Sequence, residues 1–111
     1  MFKEGLKRTN EFKKVFSNGN RKSGKYLILY ILSSQQENNR AGFIVKKSLG
    51  NAVQRNKIKR RLREIWRQKG IKLIFGCDVI IVAKKEILEA SFTEIEQELI
   101  RLLPRDNFKI R

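Results

Sequence analysis

Two short apolar runs constrain the fold of this chain more than any other feature of its sequence. Residues 26–32, YLILYIL, and residues 77–84, CDVIIVAK, have the length of strands and are rich in β-branched or aromatic side chains. Strands this apolar must pack against other elements on both faces, or pack on one face and bind a ligand on the other. Residues 40–47, RAGFIVKK, are predicted as another strand, with SSQQENN as a hairpin loop before it. The sequence therefore predicts a central sheet.

A short helix is predicted ahead of the sheet, at residues 9–19, TNEFKKVFSNG. Thr9 or Asn10 is a candidate cap, and Gly19 is a candidate terminator. Three apolar side chains recur at helical spacing: Phe12, Val15 and Phe16. This pattern predicts an aromatic helix face with basic flanks.

A longer helix is predicted from residue 52 to about residue 68. Its apolar side chains share one arc: Ile58, Leu62, Ile65 and Trp66. A separate arc carries Asn56, Lys59, Arg60, Arg63 and Arg67, with Lys57 and Arg61 beyond it. Arg55 falls near the apolar arc, so an irregular first turn is expected. Gly50 is expected to permit the turn into the helix, Asn51 to cap it, and Trp66 to lie in the core.

The last predicted helix covers residues 91–103, SFTEIEQELIRLL, and Pro104 is expected to end it. Ser91 and Glu94 have the spacing of a capping box. Its apolar stripe consists of Phe92, Ile95, Leu99 and Leu102 or Leu103.

A chain of 111 residues is long enough for one hydrophobic core. The mixed order of strands and helices predicts a single α+β domain, a sandwich of one sheet with helices against it.

The charge of the chain indicates the kind of partner. It carries 26 Lys and Arg against 11 Asp and Glu, a formal charge of +15. Residues 1–76 contain 20 basic and 4 acidic side chains, whereas residues 77–111 contain 6 and 7. A charge of this size opposes compaction but favours binding to polyphosphate through counterion release. We therefore expect an extended polyanionic partner and a C-terminal third that is mainly scaffold.

The composition excludes most catalytic chemistry. The sequence has no His and one cysteine, Cys77, which excludes metal sites built from His or Cys and nucleophiles that depend on a His base. It has neither a phosphate-loop nor a dinucleotide-binding pattern. A carboxylate pair is the one catalytic arrangement that stays open. The lone cysteine, with no run suited to secretion or membrane spanning, favours a cytoplasmic protein without a membrane partner.

The basic stretch allows two interpretations. The segment from Lys46 to Lys72 contains eleven basic residues and one acidic residue, Glu64. A solvated helix whose long stems shield apolar neighbours is one interpretation, although such faces normally mix both signs. The Lys and Arg side chains of this stretch repel one another with almost no acidic residues to offset them. This favours the second interpretation, a helix that binds phosphate groups. Composition distinguishes neither DNA from RNA nor one RNA site from another.

The order of residues in this stretch closely resembles the signature of the bacterial ribonuclease P protein component. That signature runs roughly G-N-A-V-x-R-N-x-x-K-R-x-x-R-E, and it is matched here by Gly50, Asn51, Ala52, Val53, Arg55, Asn56, Lys59, Arg60, Arg63 and Glu64. The likeness extends over nearly the whole chain. EFKKVFSNG resembles the family's first helix, YLILY its hydrophobic strand, DVIIVAKK its last strand and SFTEIEQELIRLL its closing helix.

The resemblance implies an α-β-β-β-α-β-α order with a four-stranded sheet, in which residues 21–23 form a short extra strand. It also implies a left-handed βαβ crossover. General physics would favour the right-handed form, so this detail comes from the resemblance alone. Residues 1–111 are expected to form a single RNA-binding domain.

The resemblance also implies a function. In this family a large RNA is the catalytic subunit, and it uses Mg²⁺, held mainly by the RNA, to remove the 5′ leader from precursor tRNA. The protein binds that RNA and the leader, has no catalytic residues of its own and requires no protein partner. The alternative is a ribosomal or ribosome-assembly protein that binds structured rRNA, which composition supports equally and the signature does not.

Site residues follow from the resemblance. The contact with the catalytic RNA is expected at Arg55, Asn56, Lys59, Arg60 and Arg63, supported by Lys57, Arg61 and Arg67. The leader cleft is expected at Phe12, Lys13, Phe16, Tyr30, Lys46, Lys47 and Lys84, with Lys14 as a further cation. For Phe16 a place in the core is an equal alternative, and for each cation plain solvation is the alternative.

The chain departs from the family's pattern at two places. Many relatives read Ser-Lys-Lys where this chain reads Lys46, Lys47, Ser48, so the contact of the second lysine is in doubt. Lys84 stands where Arg is commoner, which keeps the charge but loses the guanidinium fork.

Overall fold

The computed structural model describes residues 6, 9–34, 39–70 and 76–103. The helices are α1 (Thr9–Asn18), α2 (Ala52–Ile65) and α3 (Phe92–Leu102). The strands are β1 (Asn20–Ser23), β2 (Leu27–Ser33), β3 (Arg40–Ile44) and β4 (Cys77–Ala83). Short 3₁₀ helices cover Lys47–Leu49 and Lys85–Glu89, and a π-helical turn covers Trp66–Gly70. The predicted α+β class, the four strands and the element order are confirmed.

The strands form one mixed sheet in the order β1-β2-β4-β3. β2 pairs antiparallel with β1 and β4, and β3 pairs parallel with β4. The predicted hairpin at SSQQENN is therefore wrong, because β4 lies between the two strands that this loop joins; residues 35–38 of the loop lie outside the described residues. All seven residues of β4 are buried, which explains why this strand takes a central position. The hand of the β3-α2-β4 crossover stays a prediction.

The strand predicted at residues 40–47 is shorter than expected. It ends at Ile44, and the chain then turns through the 3₁₀ helix Lys47–Leu49. The N–H of Leu49 donates to the carbonyl of Lys46 at 3.0 Å. Gly50 follows with φ 149°, a value that side-chain-bearing residues rarely adopt, so its predicted role in the turn is confirmed.

α2 begins regularly at Ala52. The Asn51 side chain accepts from the backbone of Gln54, whose side chain accepts from the backbone of Asn51, both at 2.9 Å. This capping box confirms the predicted cap and contradicts the expected irregular first turn, because it satisfies two backbone N–H groups where the helix begins. Arg55 near the apolar arc is accommodated by partial exposure. The helix ends at Ile65, and the predicted end near residue 68 falls in the π-helical turn.

The larger core lies between one face of the sheet and helices α2 and α3. It includes Ile58, Leu62, Ile65, Trp66, Cys77, Val79, Ile81, Ile95 and Leu99. Trp66 is fully buried, which confirms it as a core residue, and Cys77 is fully buried in the same core. The Ser91–Glu94 capping box of α3 is also confirmed, whereas Pro104 lies outside the described residues.

The smaller core lies on the other face of the sheet, beneath α1. Its buried residues are Leu6, Val15, Ile80 and Val82. Gly19 closes α1 as predicted, with its N–H donating to the carbonyl of Val15 at 2.8 Å. A Cβ at Gly19 would lie 2.6 Å from that oxygen and 2.9 Å from the carbonyl oxygen of Ile31, so only glycine fits this close approach to β2.

A buried carboxylate fixes the turn between β1 and β2. Glu98 of α3 is 3% exposed and accepts the backbone N–H groups of Lys25, Tyr26 and Leu27, each at 2.7 Å. A Cβ at Gly24 would collide with this carboxylate. The last helix therefore holds the hairpin through three backbone groups, of which the N–H of Leu27 would otherwise be buried without a partner.

Candidate nucleic-acid interface

The cationic side chains of α2 lie on its solvent face. Asn56, Lys57, Arg60, Arg61 and Arg67 are exposed, and Arg55, Lys59 and Arg63 are half-buried. Ile58, Leu62 and Ile65 occupy the opposite face, in the core. The structure thus places seven of the eight residues predicted for RNA contact on α2 and the eighth, Arg67, in the π-helical turn that follows it.

The sheet and neighbouring α2 residues restrain part of this charged surface. The Arg63 guanidinium lies 5.9 Å from the centre of the Phe43 ring, a distance at which the ring face attracts a cation. Arg55 Nε donates a long hydrogen bond, 3.4 Å, to the carbonyl of Asn51. Glu64, the acid of this helix, accepts from the Gln68 amide at 2.6 Å. A cation held by an aromatic ring keeps its charge, so the Phe43 ring orients Arg63 without neutralising it.

A second surface lies on the opposite face of the sheet, beside α1. The rings of Phe16 and Tyr30 meet edge to face, with centroids 4.7 Å apart and an interplanar angle of 80°. Phe16 is 40% exposed, and Tyr30 and Phe12 are half-buried. We call the space bordered by Phe12, Phe16 and Tyr30 the α1 cleft. Phe16 therefore lies at the surface, and only Val15 among the described α1 residues is fully buried.

Arg21 joins the α1 cleft and was missed by sequence reasoning. It is exposed on β1, opposite Tyr30 in the strand register, and its Nε donates to the Tyr30 hydroxyl at 3.3 Å. The only signal in the sequence was a basic residue on a predicted short strand. Without the register, nothing indicated that its side chain shares a face with Tyr30.

The lysines predicted for the cleft fall into two groups. Lys13 and Lys14 are exposed on α1, and Lys46 and Lys47 are exposed after β3, at the junction that leads around the sheet edge to α2. Lys84 is half-buried, and its ammonium donates to the carbonyl of Gly24 at 2.8 Å. Lys84 therefore also ties the end of β4 to the β1–β2 turn, a contact that the sequence did not indicate.

An ion network lies at the other end of α1. Arg40 donates to both carboxylate oxygens of Asp78, from Nε at 2.9 Å and from Nη2 at 2.7 Å. Its third donor, Nη1, reaches Glu11 in the first turn of α1. The hydrogen bonds that Arg40 donates to Asp78, and secondarily the one that it donates to Glu11, raise the pKa of Arg40 above its usual value. The network joins α1, β3 and β4 at one point.

The two buried carboxylates of the described residues, Asp78 and Glu98, have partners within the protein. Within residues 6, 9–34, 39–70 and 76–103, no group of three or more His, Cys, Asp or Glu side chains is placed to hold a metal ion. Asp78 is occupied by Arg40, and Glu98 by three backbone N–H groups. None of the helices in the described part of the chain is long and apolar enough to cross a membrane.

Comparison with known proteins decides the family. The model of the Ribonuclease P family matches residues 2–106. The chain belongs to the ribonuclease P protein family. The ribonuclease P protein component of Caldanaerobacter subterraneus subsp. tengcongensis is 38% identical over 100 residues, which cover 90% of this chain and 86% of the relative. That of Clostridioides difficile is 32% identical over 108 residues, which cover 96% and 95%.

Solved ribonuclease P proteins share the fold. The protein from Thermotoga maritima superposes with a TM-score of 0.81 at 27% identity, over 91% of this chain and 96% of that one. The protein from Staphylococcus aureus gives a TM-score of 0.79 at 28% identity, over 87% and 89%. The resemblance seen in the sequence is confirmed, and the ribosomal alternative finds no support. As a family member, the chain is a protein component of an endoribonuclease assembly.

Proposed function

We propose that the chain binds two RNA elements in the ribonuclease P holoenzyme, the catalytic RNA on α2 and the 5′ leader of precursor tRNA in the α1 cleft. The observation that carries this proposal is the exposed Phe16–Tyr30 pair beside Arg21, on the opposite face of the sheet from α2. Residues 1–111 act as one RNA-binding domain in this proposal. We expect the holoenzyme to work in the cytoplasm, without a further protein partner.

The α2 surface suits a folded RNA. Arg55, Lys57, Lys59, Arg60, Arg61, Arg63 and Arg67 supply seven positive charges over about 20 Å of helix. Guanidinium groups bind phosphate oxygens in pairs, and releasing condensed counterions from the RNA provides the binding free energy. Asn56 pairs with a base edge or holds a neighbouring Arg in place. RNA binding also relieves the mutual repulsion of these cations.

The α1 cleft suits an unpaired strand. Phe16 and Tyr30 offer aromatic faces and edges to bases of any identity, which matches leaders of varied sequence. Arg21, Lys13 and Lys14 are exposed cations suited to the backbone of such a strand. Lys46 and Lys47 lie where the chain passes from β3 to α2, so a strand that follows the cations could run between the two surfaces.

The chemistry belongs to the RNA subunit in this proposal. Phosphodiester hydrolysis uses Mg²⁺ held mainly by the RNA, and the described carboxylates of this chain do not suit that ion. The buried members among them, Asp78 and Glu98, already have hydrogen-bond partners within the protein. The protein neutralises the RNA backbone and orients the leader, and it has no catalytic residue of its own.

Reconstitution tests the proposal directly. Cleavage of precursor tRNA is measured at low Mg²⁺ with a bacterial catalytic RNA alone, with the protein alone and with both. We expect the mixture of RNA and protein to cleave far faster than either component alone, or to be the one mixture that cleaves. The reason is that the cations of the protein replace the screening of RNA charge that Mg²⁺ supplies at higher concentration. Unchanged cleavage on adding the protein would contradict the proposal, and so would cleavage by the protein alone. Recovery of ribosomal RNA rather than the catalytic RNA in a pull-down would favour the rRNA alternative.

A further inference from the structure

The ion network of Arg40 bears on the α1 cleft. Arg40 and Asp78 are register partners on adjacent parallel strands, and Asp78 is 6% exposed. The side chains of Arg40 and Glu11 are 20% and 23% exposed, so this ion pair is partly shielded from water. Shielded pairs with charge-assisted hydrogen bonds hold their geometry better than exposed ones. Glu11 is therefore a fixed point between α1 and the sheet.

This fixed point lies next to the aromatic residues of the cleft. Phe12 directly follows Glu11, and its ring fills the space above Gly42, where a Cβ would lie 2.6 Å from the ring. Gly42 and Tyr30 are both register partners of Ile80, so Phe12 and Phe16 lie above the same row of the sheet. A shift of the N-terminal end of α1 would thus move both rings relative to Tyr30.

One side chain of α1 is fully buried, so much of this helix stays exposed beside the α1 cleft. Val15 is its only fully buried side chain among the described residues, and the core around it contains three further buried residues, Leu6, Ile80 and Val82, with partly buried apolar side chains packed against them. Gly19 fixes the C-terminal end of α1 against β2. At the N-terminal end, the Glu11–Arg40 pair is a polar tie to the sheet, beside the Phe12 ring and the backbone hydrogen bond from Leu6 to the carbonyl of Ala41.

We infer that Arg40, through Glu11, is a positioning residue that sets the height of α1 above the sheet and so the width of the α1 cleft. This inference rests on the proposed leader binding. Arg40 is held by Asp78, and Glu11 transmits that position to α1. Neither residue contacts RNA in this account.

Removing the negative charge of Glu11 distinguishes a positioning role from a long-range electrostatic effect on RNA binding, because the two predict opposite changes in affinity. Glu11→Gln removes a negative charge, so long-range attraction alone would leave RNA affinity unchanged or raise it. A positioning role has the opposite consequence, because a displaced helix spoils base stacking in the cleft. The substitution leaves the Arg40–Asp78 pair intact, so the buried carboxylate keeps its partner and the fold is retained.

The test compares holoenzymes that contain wild-type protein, Glu11→Gln, Glu11→Asp, or Glu89→Gln. Glu89 is exposed at the end of the 3₁₀ helix Lys85–Glu89, so its substitution matches the charge change away from the cleft. The measured quantity is the ratio of affinities for precursor and mature tRNA, since only the precursor has a leader. Thermal unfolding of each variant, followed by Trp66 fluorescence, checks that the protein is folded.

We expect Glu11→Gln to lower the ratio by about three- to tenfold, the size of losing part of one base–aromatic stack. Glu89→Gln should leave the ratio unchanged, and Glu11→Asp, which keeps the charge on a shorter side chain, should restore part of it. A ratio for Glu11→Gln equal to that of wild type or of Glu89→Gln overturns the positioning role.

A parallel holoenzyme with Phe16→Ala and Tyr30→Ala distinguishes the two proposals. If this pair lowers the ratio while Glu11→Gln does not, leader binding stands and the positioning role fails. If the aromatic variant leaves the ratio unchanged, leader binding in the cleft fails, and the positioning role fails with it.

Discussion

Phe16 and Tyr30 form an edge-to-face pair with ring centroids 4.7 Å apart, although one belongs to α1 and the other to β2. The pair stays accessible because α1 covers only part of the sheet face, and Phe16 is 40% exposed. An aromatic pair in the core would normally be buried more completely. Arg21 donates to the Tyr30 hydroxyl at its rim.

Truncating this pair should weaken binding of precursor tRNA. For Phe16→Ala combined with Tyr30→Ala, we expect a loss of about 1–3 kcal/mol for each base stack removed, and little change for mature tRNA. Equilibrium binding to the reconstituted holoenzyme measures both affinities. Leu88→Ala is the matched control, because Leu88 is 52% exposed and lies on the 3₁₀ helix after β4. Equal losses for precursor and mature tRNA would contradict the cleft assignment.

Removing an exposed cation of α2 should change the salt dependence of assembly with the catalytic RNA. Arg60→Ala is expected to weaken assembly and to reduce the slope of log affinity against log salt concentration by about 0.7–0.9 if Arg60 contacts one phosphate. Titrations at several salt concentrations give the slope. Lys85→Ala removes one charge outside α2 and should leave the slope nearly unchanged. An unaltered slope for Arg60→Ala would move the RNA contact away from this residue.

The Glu98 carboxylate should contribute strongly to stability. Glu98→Gln is expected to lower the free energy of unfolding by about 2–4 kcal/mol, because the amide has one acceptor oxygen where three backbone N–H groups converge. Urea unfolding followed by Trp66 fluorescence measures the change. Glu89→Gln, at an exposed position, should stay within about 0.5 kcal/mol of wild type. A small effect at Glu98 would mean that the hairpin turn is held by other contacts.

The thiol of Cys77 should report on unfolding. Burial, reinforced by the charge of Asp78, raises its pKa to about 11, whereas an unfolded thiol has a pKa of about 8.5. The folded protein thus keeps the proton that the unfolded chain loses. Its contribution to stability is full below pH 8.5 or so and is lost as the pH rises toward 11.

Two measurements check this. A disulfide reagent at pH 8 or so should react slowly with native protein and rapidly in urea, since the thiolate is the reactive form. The free energy of unfolding should fall between about pH 9 and the folded pKa of about 11, and Cys77→Ala should lack this part of the decline. Equal labelling rates in native and denaturing buffer would show that the thiol is accessible.

Local sequence patterns predicted the helices and strands well, because residue spacing within one segment is enough to indicate a helix face or a cap. The arc of Ile58, Leu62 and Ile65 identified the buried face of α2, and the spacing of Ser91 and Glu94 identified a capping box. Strand order is not a local property. The polar loop after β2 is typical of a hairpin, yet β4 pairs with both β2 and β3 because its seven buried residues need neighbours on both sides.

The family resemblance supplied most residues of the candidate site, and their roles stay a prediction. Phe16 was expected equally in the core or the cleft, and its exposure could be known only once the extent of α1 over the sheet was seen. Arg21 and Arg40 act across strand pairs, so their roles depend on register. The bond from Lys84 to Gly24 likewise joins residues 60 positions apart.

The central place of β4 affects how the chain must fold as it is made. β2 and β3 are synthesised first, but each lacks its shared neighbour until Cys77–Ala83 has left the ribosome. Two unpaired strand edges, one of them highly apolar, are then open to association with other nascent chains. Co-translational completion of the sheet is thus a single late event, and delays in translating the segment between α2 and β4 should favour aggregation.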